Sequence, residues 1–116
     1  MSGRRWGLLL GLAVLAGSAA GSAAGANAGH DTGRAVRVEI SHFAFSPQTL
    51  TVPAGTRVVW TNRDEEPHVV TSAGTQFAPS LALDTGDSYA VTFAKPGTYA
   101  YFCSIHPMMV GTIIVQ

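Results

Sequence analysis

The chain has 116 residues, 47% of them hydrophobic, with seven basic and seven acidic side chains and a single cysteine, Cys103. That length supports one compact domain with a modest core and leaves no room for a second. The balanced charge, with no basic patch, excludes a nucleic-acid surface, and one cysteine excludes an internal disulfide.

The chain opens Met1-Ser-Gly-Arg-Arg-Trp and continues through an uncharged apolar run from Gly7 to Gly17. A basic start followed by an apolar stretch too short to span a bilayer reads as a secretory signal peptide. The small residues around Ala26-Asn27-Ala28 put cleavage after Ala28, so residues 1–28 are expected to be lost and the product to be periplasmic or otherwise exported, with no stable membrane insertion. Both the general secretory route and, through Arg4-Arg5, a twin-arginine route fit. Residues 29–35 are polar and glycine-rich and read as a flexible lead. The domain is expected over 36–116, where Arg37, Arg57, Arg63 and Lys95 are outnumbered by acidic residues.

From Val36 the pattern turns to alternation. Val36, Val38 and Ile40 face one way and Arg37, Glu39 and Ser41 the other, the pattern of a half-buried strand. Further strands are expected over Thr49–Val52, Thr56–Thr61, His68–Thr71, Ser88–Phe93, Gly97–Phe102 and Gly111–Val115. Pro53-Ala54-Gly55, Asp84-Thr85-Gly86-Asp87 and Lys95-Pro96-Gly97 supply the reversals between them. Residues 72–83 are irregular and read as a crossing between sheets. No stretch beyond the leader carries a sustained helical stripe, so the fold is expected to be all-β, a sandwich or barrel. Phe43, Phe45, Trp60, Phe93, Tyr99 and Tyr101 alternate with polar positions and are expected in the core or on sheet faces, with His42 in a surface loop.

In an oxidising compartment a lone thiol is a liability unless it is buried, paired with another chain or bound to a metal. Around it the chain reads Tyr99-Ala-Tyr-Phe-Cys-Ser-Ile-His-Pro-Met-Met-Val-Gly111. Cys103, His106 and Met109 are spaced by three residues, so one tight loop can turn a thiolate, an imidazole and a thioether toward one point. Soft sulfur beside imidazole selects copper, and two histidines, one cysteine and a weak axial methionine form the blue-copper ligand set. His30, His42 and His68 are the candidates for the second imidazole. His68 follows Pro67, whose ring stiffens the approach, and is the choice.

Two separated segments carry a resemblance: Val58-Val-Trp-Thr-Asn-Arg-Asp-Glu-Glu-Pro-His68 and Gly97-Thr-Tyr-Ala-Tyr-Phe-Cys103-Ser-Ile-His106-Pro-Met-Met109-Val-Gly111. Together they resemble the cupredoxin family and, within it, the amicyanin group, over residues 36–116. The resemblance implies a cupredoxin-like Greek-key β-sandwich of about seven to eight strands holding one type 1 copper ion that cycles between Cu(I) and Cu(II). It implies His68, Cys103, His106 and Met109 as ligands, because short loops of this kind leave two residues between histidine and methionine. Met108 is the competing thioether, and the same resemblance makes it an exposed surface residue. Asn62 is implied as a hydrogen-bonding tie between the strand of the first histidine and the cysteine loop. One departure is Ile105, which stands where amicyanins commonly carry proline.

The function so implied is that of a monomeric one-electron carrier between redox proteins, with an amine-oxidising dehydrogenase as donor and a c-type cytochrome as acceptor. Electrons would pass through the edge of His106 in an apolar patch of Pro67, Pro107 and Met108. The alternative is periplasmic copper binding and delivery by the same ligands. A site without a vacant coordination position argues against an enzyme. A cysteine nucleophile would leave the methionine unexplained, and a dinuclear copper site would need a second cysteine.

Overall fold

The computed structural model describes residues 35–116, so the expected signal peptide and the lead up to Arg34 lie outside the described residues. Eight strands run in chain order: β1 (Ala35–Ser41), β2 (Ala44–Ser46), β3 (Thr49–Val52), β4 (Thr56–Asn62), β5 (Thr71–Ser72), β6 (Ser88–Phe93), β7 (Gly97–Cys103) and β8 (His106–Val115). There is no helix among the described residues.

The strands form two four-stranded sheets, β2-β1-β4-β6 and β3-β8-β7-β5. Most neighbours are antiparallel, but β1 runs parallel to β4 and β3 parallel to β8. The expected alternation fixes which faces meet. In β1, Val38 and Ile40 are buried while Arg37 is exposed, and in β8 the residues Met109, Gly111, Ile113 and Val115 are buried at every second place. A side-chain period of two allows one register for such strands, since a one-residue slip would turn each core residue to water.

The core lies between the sheets. Trp60 of β4 meets Tyr101 of β7 edge to face with ring centroids 5.3 Å apart, and Phe45 meets the same tyrosine at 4.7 Å. Val38, Ile40, Val58, Phe93, Ile113 and Val115 complete one continuous apolar cluster that reaches Cys103 and Met109. The metal-site candidates therefore rest on the end of the core rather than on a separate loop.

The strands expected over 49–52 and 88–93 occur with those bounds, and the one at 56–61 gains Asn62. Three expectations need correction. β2 was missed, because three residues are too few to show an alternation. His68–Thr71 is not a strand: His68 makes one isolated bridge with Leu83, through N–H to carbonyl bonds of 3.1 and 2.8 Å, and regular pairing begins only at Thr71. Finally, the last strand starts at His106 instead of Gly111, so no long loop follows Cys103.

Candidate metal centre

Strands β7 and β8 form a hairpin in which Cys103 and His106 are paired partners across the two-residue turn Ser104-Ile105. Opposed residues of an antiparallel pair bring their side chains together, and here Sγ of Cys103 lies 3.7 Å from Nδ1 of His106. The register along the hairpin pairs Tyr101 with Gly111 and Phe102 with Val110, and it shifts between Phe102 and Cys103. Without that irregularity Cys103 would oppose Met109. The shift hands the pairing to His106 and leaves Met109 on the core-facing side of β8, 4% exposed, while Met108 is 92% exposed.

His68 arrives from the segment between β4 and β5. It is fully buried, with Nδ1 3.1 Å from Nδ1 of His106 and 3.8 Å from Sγ of Cys103. His68, Cys103 and His106 are the one His/Cys/Asp/Glu group among the described residues whose donor atoms converge for a metal, all within 4.8 Å of one another. Three donors this close suit one first-row ion with bonds of about 2.0–2.3 Å. His30 lies outside the described residues. His42 sits exposed in the β1–β2 turn, where its Nδ1 meets Ser41 Oγ, as expected of a surface histidine.

Asp64 sets the chemistry of His68. Its Oδ2 lies 2.9 Å from Nε2 of His68. A carboxylate only accepts, so the neutral ring carries its hydrogen on Nε2 and turns a bare Nδ1 lone pair toward Cys103 and His106. Partial burial pulls the Asp64 carboxyl upward. Hydrogen bonds from the Phe43 N–H, the His68 ring and the His42 N–H, with the attraction of His68, outweigh burial and hold it below the usual carboxylate value of 3.8. The sulfur is prepared as well, since the Val69 N–H donates to Sγ of Cys103 at 3.3 Å. A buried sulfur with no partner cysteine, facing two imidazole nitrogens, is a donor set that a soft cation completes.

Asn62 supports this arrangement differently from the expectation. Fully buried, it donates from Nδ2 to the carbonyls of Glu66 at 2.9 Å and Leu83 at 2.8 Å, and its Oδ1 accepts the Asp64 N–H at 2.9 Å. It braces the 62–68 segment from within and against Leu83, and none of these bonds reaches the cysteine hairpin.

The sequence reading missed Asp64 as a partner of His68 and misplaced Phe43. Asp64 stands four residues before His68, a spacing with no meaning in a non-helical segment until the turn is seen. Phe43 is 45% exposed in the β1–β2 turn instead of lying in the core or on a sheet face. Both His42 and Phe43 have left-handed backbones, φ 55 and 56, a conformation that costs a non-glycine residue on the order of 1–3 kcal/mol. The two oxygens of Asp64 hold them there, Oδ1 accepting the His42 N–H at 2.7 Å and Oδ2 the Phe43 N–H at 2.9 Å. The other aromatics behave as expected, with Phe45, Trp60, Phe93 and Tyr101 in the core and Tyr99 packed against it.

Comparison with known proteins agrees with this geometry. A cupredoxin-like domain matches residues 8–115. Amicyanin-alpha of Methylorubrum extorquens is 33% identical over 86 residues, 71% of this chain and 72% of that protein. Amicyanin of Paracoccus denitrificans is 31% identical over 86 residues, covering 71% and 66% respectively. Among solved structures, a purple cupredoxin from Nitrosopumilus maritimus superposes with a TM-score of 0.64 at 34% identity, over 69% of this chain and 98% of the other. A reduced variant of amicyanin superposes at 0.68 with 31% identity, over 71% and 82%. With its eight-stranded double sheet and with His68, Cys103 and His106 positioned to bind one copper ion, the chain belongs to the cupredoxin-like family.

Proposed function

We propose that this protein is an exported, mononuclear type 1 copper protein that carries single electrons between redox partner proteins, with His68, Cys103, His106 and Met109 as its ligands. The observation that carries the reading is the convergence of two imidazole Nδ1 atoms and a buried cysteine sulfur, 3.1 to 3.8 Å apart, at the end of a packed β core. Relatives named amicyanin and plastocyanin support the same class.

The bound ion would supply one-electron chemistry, gaining and losing an electron within one ligand set. The protein's part is to keep the donors still, so that little rearrangement accompanies each change of charge. His68 is fixed by Asp64 at its Nε2, and Cys103 is fixed at a strand end with a backbone N–H on its sulfur. Met109, buried on the core face of β8 and part of the same apolar cluster as Cys103, is the thioether available from within. His106 is partly buried, the Pro107 and Met108 that follow it are exposed, and so is Pro67 before His68. This is where electrons would enter and leave, within a small apolar surface suited to brief contact with a partner. An amine-oxidising dehydrogenase and a c-type cytochrome are the partner classes suggested by the likeness to amicyanin.

The test is the visible and electron paramagnetic resonance spectrum of the purified protein with one equivalent of Cu(II), repeated for Cys103→Ser. An intense visible absorption and a compressed copper hyperfine splitting are expected for the native chain, and both should vanish in the variant. A native protein that stays colourless overturns the reading.

A further inference from the structure

His106 is the least secured of the converging residues. His68 is tied through Nε2 to Asp64 and Cys103 receives the Val69 N–H, whereas His106 makes no hydrogen bond through Nε2 among the described residues. Its chain neighbours Ile105 and Pro107 are exposed. Beyond its Nδ1 contacts with His68 and Cys103, the orientation of its ring rests on packing.

One aromatic side chain from outside the converging group takes part in that packing. Phe43 stands edge-on to both imidazoles, with centroids 5.0 Å from His106 and 5.2 Å from His68 and interplanar angles of 88° in each case. The imidazoles themselves are 4.9 Å apart at 65°, so the three rings form a closed triangle of edge-to-face contacts. Phe43 comes from the β1–β2 turn, remote in sequence from both histidines. It reaches them through the left-handed pair His42-Phe43, which Asp64 clamps with both carboxylate oxygens. The residue that orients His68 thus also aims the aromatic ring that packs on His106. Phe43 also borders a cleft shared with Gln48, Met108, Met109 and Val110.

We propose that Phe43 is a positioning residue of the metal centre: it holds the imidazole of His106 in its ligating orientation and closes the cleft side of the centre to small ligands. This rests on the copper reading above for its purpose, but the geometry it invokes belongs to the polypeptide. Backbone strain retained at two successive residues, with a carboxylate devoted to it, is hard to account for by surface packing of a half-exposed phenylalanine.

The experiment compares the native chain with Phe43→Ala and Phe43→Leu, first without metal. In the metal-free variants the His106 ring protons should lose their single set of nuclear Overhauser contacts to the cluster, while the His68 Nε2 proton, held by Asp64, stays slow to exchange. Leucine fills most of the space without a ring and should restore His106 only in part. In the Cu(II) forms, millimolar azide should perturb the spectrum of Phe43→Ala at least tenfold more readily than that of the native protein. His106 contacts unchanged in both variants would overturn the proposal. So would loss of His68 and His106 order together in Phe43→Leu, which would mean a general structural role. A native protein that binds no copper would sink the copper reading, while the metal-free measurement still judges Phe43.

Discussion

The Nδ1 atoms of His68 and His106 stand 3.1 Å apart, although 38 residues separate them, one lying in the segment between β4 and β5 and the other at the start of β8. One is buried and tied to a carboxylate, and the other is partly exposed and held by an aromatic edge. Two imidazole nitrogens so close, beside a cysteine sulfur, gain from a cation between them. On the copper reading proposed above, that asymmetry would give a fixed inner ligand and an outer one within reach of a partner.

The neighbouring methionines separate cleanly in stability. Met109→Ala removes a buried side chain from the core cluster and should cost the metal-free protein about 2–5 kcal/mol, whereas Met108→Ala, at a side chain 92% exposed, should change it by less than about 0.5 kcal/mol. Denaturant titration of the two metal-free variants checks this. With Cu(II) bound, only the Met109 variant should shift the visible spectrum.

Asp64→Asn keeps the shape of the side chain and removes its charge. Hydrogen bonds to a charged acceptor are worth about 1.5–3 kcal/mol each, and Asp64 accepts from His42, Phe43 and His68. The variant should therefore be less stable by roughly 2 kcal/mol at neutral pH. Because the folded-state value of this carboxyl is depressed, its contribution is complete above the unfolded value of 3.8 and disappears as pH falls through the lower folded value. Denaturation curves of native and variant metal-free protein should differ at pH 7 and converge in stronger acid.

Tyr101 and Gly111 form a second tight pair. They face each other across β7 and β8, and a Cβ at residue 111 would run into the tyrosine ring. Gly111→Ala should cost about 1–3 kcal/mol through overpacking, read as a lowered melting temperature. Among the described residues the Tyr101 hydroxyl has no hydrogen-bond partner, and neither does the Trp60 indole N–H. Burial pushes this phenol up to about 12, and the nearby indole N–H, which falls short of a hydrogen bond, offsets it only in part. The raised value means the folded state resists ionisation, so stability should fall as pH climbs from 10 toward 12. Tyr101→Phe should be near neutral in stability at pH 7 and should abolish that alkaline loss.

Removal of the metal should leave the double sheet folded, because the core from Val38 to Val115 is continuous without it. The far-ultraviolet spectrum should be unchanged on chelation. A melting temperature that rises with free copper, by the equivalent of about 2.7 kcal/mol at a hundredfold excess over Kd, is the expected readout. A chelated protein that melts without cooperativity would count against this.

The strands were legible because alternation in β1, β3, β6 and β7 records which face meets the core, a pattern local to each segment. Cys103 and His106 were legible as a pair because they are close in sequence and their chemistry is distinctive. The bounds of β8 were not legible. Pro107 and two methionines after His106 look like a loop, and only the pairing of His106 with Cys103 makes them strand. His68 was found by elimination but assigned to a strand that does not form, since its single bridge to Leu83 is a long-range contact.

What the amino-acid order determined by itself was an all-β domain with one thiol set among metal-binding side chains, because periodicity and donor type are properties of short segments. Tertiary structure alone decided that Asp64 orients His68, that Asn62 braces the ligand segment instead of the hairpin, and that Phe43 leaves the core to pack on two imidazoles. Those relationships depend on distances across turns and between sheets, and such distances exist only after the core has drawn the strands together.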